Sequence, residues 1–86
     1  MPKYSVEISK TAFKALSKLP NKIAEKIENA LLKLEENSRP AGSKQLSGFK
    51  DLYRLRIGDY RAIYSIEEEI VTIIVLDVGH RKEIYN

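Results

Sequence analysis

Cysteine and tryptophan are absent from the 86 residues, and histidine occurs once. Without a thiol the chain forms no disulfide, offers no thiolate nucleophile and builds no zinc–thiolate site. A lone histidine, His80, excludes acid–base catalysis by a histidine pair and argues against a His-rich metal centre. No apolar run approaches the ~20 residues of a membrane-spanning helix. The opening Met1-Pro2-Lys3-Tyr4 lacks the apolar stretch of a signal peptide, so a cytoplasmic protein without membrane association is expected. There is no internal repeat and no low-complexity segment. A chain this short buries a little over ~60% of its unfolded surface, which is enough for one core, so residues 1–86 read as a single domain.

What is present is globular in balance, 43% apolar and 31% charged. The net charge is +3, unevenly placed. Residues 1–43 carry seven Lys and one Arg against five acids, an excess that commonly serves solubility. Residues 44–86 are neutral overall but hold four of the five arginines, whose planar fork suits bidentate phosphate contacts.

The patterning predicts an α+β fold. Tyr4 to Ile8 alternates like a half-buried strand, and Ser9 is placed to cap a helix in which Ala12, Phe13 and Leu16 share a face. Pro20 ends that helix and opens a second, where Ile23, Ile27, Ala30, Leu31 and Leu34 recur every three or four residues. Glu36 to Ser43 reads as a connecting loop. Beyond it the period becomes two: Leu52–Ile57 and Tyr60–Ile66 form a hairpin about Gly58-Asp59, Glu67–Glu69 make a solvated turn, and Ile70–Val78 is a strand covered on both faces. Gly79 is expected to end that strand, leaving His80–Asn86 as a polar tail. The order strand, helix, helix, three strands implies an antiparallel sheet with a two-helix hairpin on one face.

Alternation places Arg54 and Arg56 on one face of their strand and Tyr53, Leu55 and Ile57 on the helix-covered face. Arg61, just past the turn, reaches the open face if the register allows, and Arg81 and Lys82 follow the last strand. Tyr60, Tyr64 and Tyr85 lie near in sequence; Tyr60 and Tyr64 also suit a core or edge position. Guanidinium groups for phosphates and flat rings for unstacked bases are the chemistry of single-stranded RNA binding. Asp51, Asp59, Asp77 and Glu83 are the carboxylates available for a metal-dependent nuclease. Nothing in their spacing groups them, so neither metal nor other cofactor is expected.

From Lys44 to Tyr64 the chain reads KQLSGFKDLYRLRIGDYRAIY, and from Val78 to Tyr85 VGHRKEIY. Together with the Leu19-Pro20 turn, these stretches resemble the RelE/ParE superfamily of type II toxins. The resemblance implies a microbial-RNase-like fold and, for the RelE-like branch, ribosome-dependent cleavage of messenger RNA in the A site by attack of the 2′-hydroxyl, without a metal. Its catalytic positions fall on Arg54, Arg56, Arg61, Arg81 and Tyr85, with Lys44, Lys50, His80 and Lys82 as further RNA-binding groups. Some relatives carry lysine where this chain has Arg54 and Arg56. Arginine stays protonated, so the general base is left to His80, to solvent or to ribosomal RNA. Implied partners are the ribosome, messenger RNA and a cognate antitoxin seated on an apolar groove beside the first helix. The free toxin is expected to be a monomer that forms a hetero-oligomer with the antitoxin. The alternatives are a ParE-like inhibitor of DNA gyrase and a catalytically silent antitoxin-binding homologue.

Overall fold

A computed structural model of the chain describes residues 3–80. The elements are β1 (Ser5–Ile8), α1 (Lys10–Ser17), α2 (Asn21–Leu32), β2 (Ser43–Gln45), β3 (Leu52–Ile57), β4 (Tyr60–Glu67) and β5 (Thr72–His80), with 3-10 turns at Lys33–Glu35 and Glu68–Ile70. Each expected boundary has a local cause. The Ser9 hydroxyl accepts the Ala12 amide at 3.1 Å and caps α1. Pro20 caps α2 instead of entering it, its fixed φ of −56° delivering the chain to the helix.

The five strands lie in the order β1-β5-β4-β3-β2. β2 through β5 are antiparallel neighbours, whereas β1 runs parallel to β5, with Ser5 opposite Thr72 and Ile8 opposite Val75. The sheet is therefore mixed, which corrects the expected all-antiparallel arrangement. Alternation reports which residues face inward but carries no sign for strand direction. No strand was expected at β2, of which only Ser43 fell in the expected loop: its three residues have no apolar alternation and are held by pairing with Tyr53 to Leu55.

β5 also departs from expectation at both ends. Glu68–Ile70 close a 3-10 turn, Val71 takes a left-handed φ of 49°, and the strand starts at Thr72. At the other end the strand runs through Gly79 to His80, so His80 belongs to the sheet and not to a polar tail. β5 lies between β1 and β4, so both of its edges are paired, but the helices cover only one of its faces, which corrects the expected cover on both; Leu76, beside the Ile63/Tyr64 irregularity, stays exposed.

The helices cover one face. Ala12 and Leu16 of α1 and Ile27 and Leu31 of α2 pack with Leu34, Leu55, Ile57, Ala62, Tyr64, Ile66, Ile73, Val75 and Val78. Burying each of the larger side chains contributes about 1.5–3 kcal/mol. Phe13 does not join them: it is 65% exposed, one position off the buried stripe of a helix only eight residues long.

Candidate functional site

The face that the helices leave open is organised by the β3–β4 hairpin. Gly58 has φ +61°, the positive value a two-residue hairpin connection needs at its first central position. The resulting register sets Ile57 opposite Tyr60 and Arg56 directly opposite Arg61. Opposed residues share a face, with Cβ atoms roughly 4.5–5.5 Å apart. Arg61 in turn faces Gly79 on β5, and one step along the same face come Lys44, Arg54, Ile63 and Asp77. Three strands thus bring Arg54, Arg56, Arg61 and Lys44 together in two adjacent rows. Gly79 ends the Arg56–Arg61 row without a side chain.

Like charges directly opposed across a sheet are destabilising, so packing supplies no reason for the Arg56–Arg61 pair. The Arg61 guanidinium is held over the turn, donating from Nη1 to the carbonyls of Tyr60 (3.2 Å) and Gly58 (3.4 Å). Neither Arg54 nor Arg56 takes part in the two ion pairs found among the described residues, Lys3–Glu36 and Arg39–Glu68.

The remaining expected residues are distributed differently. Lys50 lies on the exposed turn between β2 and β3, whose shape Gln45 fixes by donating to the carbonyls of Phe49 and Lys50. His80 pairs with Tyr60, edge to face with ring centroids 5.4 Å apart. It lines a groove of about 360 Å³ with Ala15, Lys18, Leu19, Val78 and Gly79, on the helix side of the sheet and away from the arginine rows. Tyr64 is a core residue and no stacking platform: it is fully buried and donates its hydroxyl to the Ser38 carbonyl at 2.8 Å. Burial also raises its pKa. Asp51, Asp59 and Asp77 are scattered over the start of β3, the hairpin turn and β5. No group of three or more metal-ligating side chains occurs among the described residues. Arg81, Lys82, Glu83 and Tyr85 lie outside the described residues.

One charged cluster has no counterpart in the sequence reading. Arg39 donates to the Tyr53 hydroxyl (3.0 Å), the Ser38 hydroxyl (3.3 Å) and Glu68 (3.1 Å), with its guanidinium 5.2 Å from the centre of the Tyr53 ring. Tyr4 donates to the other Glu68 oxygen at 2.6 Å, and Tyr53 stacks on Tyr64. The Tyr4 hydroxyl and then Arg39 hold the Glu68 carboxyl below its ordinary value, and the same bond raises Tyr4. Arg39 is tightened in its charged form by Tyr53 and Glu68. Glu68 was expected to be merely solvated. The cluster joins residues 4, 39, 53 and 68, which no spacing rule connects, and it ties the chain's connections together instead of facing a ligand.

A small α+β fold with an arginine-bearing open sheet face defines the class. The model of the family described as ParE toxin of type II toxin-antitoxin system, parDE, matches residues 6–85. The chain is 34% identical over 83 residues to toxin RelG of Mycobacterium tuberculosis, covering 95% of each. It is 31% identical over 87 residues to the mRNA interferase toxin RelE of Escherichia coli K12, covering 96% of this chain and 90% of that one. Its fold superposes with a TM-score of 0.81 on the RelE–RelB complex of Pyrococcus horikoshii, at 34% identity over 92% of this chain and 96% of that chain. The RelBE2 toxin-antitoxin complex of M. tuberculosis gives the same score at 30% identity, over 92% and 99%. The chain belongs to the RelE/ParE superfamily of type II toxins and is RelE-like within it. Among the described residues no helix is long and apolar enough to cross a membrane.

Proposed function

We propose that this toxin is a ribosome-dependent endoribonuclease that cuts messenger RNA in the A site without a metal. The observation that carries this reading is the opposed pair Arg56–Arg61 ending at Gly79, with Lys44 and Arg54 one row away. The ribose 2′-oxygen attacks the adjacent phosphorus in line. The P–O5′ bond breaks, a 2′,3′-cyclic phosphate forms, and the 2′-hydroxyl proton passes to a base while the 5′-oxygen takes up a proton. Negative charge grows on the phosphoryl oxygens, where fixed guanidinium donors stabilise it more than they stabilise the ground state.

In this scheme Arg61 and Arg81 bind the scissile phosphate, Arg54 and Arg56 hold the flanking strand, and Tyr85 stacks on the reacting base. Lys44, Lys50 and Lys82 contribute phosphate contacts. With arginine at positions 54 and 56 and His80 packed against Tyr60 on the helix side, the proton acceptor is assigned to solvent or ribosomal RNA. The ribosome supplies the splayed message, a proximity contribution of several kcal/mol. A cognate antitoxin is assigned as the partner, since solved relatives are RelB–RelE complexes. The groove of Ala15, Leu19 and Val78 beside α1 is its proposed seat.

In cell-free translation with mapping of message ends, Arg61→Ala and Arg81→Ala should each slow cleavage by about 10²–10³, the effect of losing one transition-state donor. Unaltered cleavage in both variants would falsify the site. The ParE-described family match supports a second reading, inhibition of DNA gyrase. That reading expects block of supercoiling by the purified chain, with indifference to Tyr85→Ala.

A further inference from the structure

The last strand changes phase part-way along. Ile73 and Val75 point into the core, as alternation demands, and continued alternation would send Asp77 in after them. Instead Val78 is the next buried residue, and Asp77 and Gly79 turn to the open face. The cause is the irregularity between Ile63 and Tyr64. Ile63 pairs with Asp77 and Tyr64 with Val75, so Leu76 is an extra residue with no register partner on β4. One inserted residue exchanges the two faces of everything beyond it, and such bulges re-aim side chains beside working sites.

The bulge thereby puts a carboxylate among the cations. Asp77 ends the row that begins Lys44, Arg54 and Ile63, and it is the diagonal neighbour of Arg61, roughly 7–8 Å away between Cα atoms. It is the only acidic residue of β5, although strands disfavour aspartate. Its Oδ1 accepts the Val78 amide at 2.8 Å, which fixes the carboxylate against the strand. Asparagine would serve that amide equally well, without placing negative charge on a face meant for phosphates. Neither ion pair found among the described residues involves Asp77. The charged groups around it are Lys44 and Arg54 along its row, Arg56 and Arg61 in the next, and Glu7 opposite Ile74 farther along the open face. On its edge side comes Lys10, next to Ser9, whose hydroxyl donates to the Leu76 carbonyl. His80, three residues on, alternates to the helix side.

We infer that Asp77 is the proton-accepting end of this site: its Oδ2 holds the water that takes the 2′-hydroxyl proton. The inference rests on the nuclease reading above, which leaves that proton to solvent or ribosomal RNA, and it gives the solvent a fixed place. The neighbouring cations have no lone pair to offer while charged, whereas a carboxylate accepts. A short aspartate stays near the sheet while guanidinium groups reach beyond it, so a ribose beside the gripped phosphate stands one water away from Oδ2. In the step, the 2′-oxygen gives its proton to that water as it bonds to phosphorus and the P–O5′ bond breaks. The water passes a proton to Oδ2 and is restored, and the leaving 5′-oxygen draws its proton from the surrounding solvent. Acting through a water, Asp77 is a positioning residue.

The test is single-turnover cleavage by the full chain on ribosomes programmed with a defined message, from about pH 6.5 to 8.5. Asp77→Asn keeps an oxygen for the Val78 amide, and an unchanged melting temperature confirms its fold. Its cleavage rate should fall by about 10²–10⁴, the usual effect of losing a placed proton acceptor. Binding to ribosomes whose message carries a 2′-deoxynucleotide at the cut site, which cannot react, should not weaken. The pH profile separates this role from a structural one. The parent should be flat across the range, since a carboxylate is already charged there. The variant should gain about tenfold per pH unit, because hydroxide has to replace the lost acceptor. Asp77→Glu should recover part of the rate and the flat profile. A parent-like rate in Asp77→Asn, while Arg61→Ala still slows cleavage, overturns the role of Asp77 and leaves the nuclease reading standing. A slow variant whose profile stays flat makes Asp77 a support of the bulge only. A parent profile that rises with pH and is flattened by His80→Gln moves the acceptor to His80. Either result also overturns the inference. A parent chain that cuts no message removes the nuclease reading and the acceptor together.

Discussion

Val71 is the one non-glycine described residue with positive φ, and it is β-branched, the side-chain type that tolerates that region least. It is kept there by its surroundings: its amide donates to Glu68, its carbonyl accepts from Ser5, and the next residue enters β5. A left-handed conformation costs an L-residue about 1–2 kcal/mol. Val71→Gly is expected to raise stability by about 1 kcal/mol, read as an increase in melting temperature with cleavage unchanged. The Arg56–Arg61 pair stands in contrast, since its like-charge cost sits on the exposed face proposed to meet RNA. Alternation already showed that Arg54 and Arg56 share a face. That Arg61 stands opposite Arg56 required the register, which Gly58 and a connection of two residues set.

At the level of elements, both helices, the hairpin and the central apolar strand were legible because each has a strong period and a named stop: Ser9, Pro20, Gly58. What stayed hidden depends on partners distant in sequence. β2 exists by pairing with β3, and Phe13 projects outward although Ala12 and Leu16 turn in. The lysines of α2 read as solubility until the structure set them against β3 and its turn. The connection after α2 looked like free loop, yet Tyr64 reaches it from the centre of β4 to bond the Ser38 carbonyl. Tyr64→Phe removes that donor and leaves a buried acceptor unpaired, at a cost of about 1–3 kcal/mol measurable by urea unfolding. The stacked Tyr53–Tyr64 ring pair survives the substitution, so a larger destabilisation would mean that the connection itself had been released.

Across the whole molecule, the Tyr4–Glu68–Arg39–Tyr53 cluster joins the first strand, the central connection and the β4–β5 turn. The Glu68 carboxyl is held below its ordinary value of 4.5, first by Tyr4 and then by Arg39. The native state thus favours the charged form more than the unfolded chain does. This contribution is complete above pH 4.5 and is lost as pH falls through and below that value. Stability measured from pH 7 downward should decline less steeply in Glu68→Gln than in the parent. The difference should shrink in high salt, because the pair is exposed.

The topology has a temporal consequence. β5 is the strand against which β1 and β4 both align, and it is translated after every other strand of the sheet. A nascent chain that has already emerged through β4 carries its arginine hairpin but lacks the strand that would anchor it, and its first strand waits for a mate some sixty-seven positions later. Closing so distant a contact is slow and all-or-none. The arginine hairpin thus gains its β5 neighbour only after Thr72 to His80 have been made, and a chain cut short before Thr72 is expected to leave the open face unassembled.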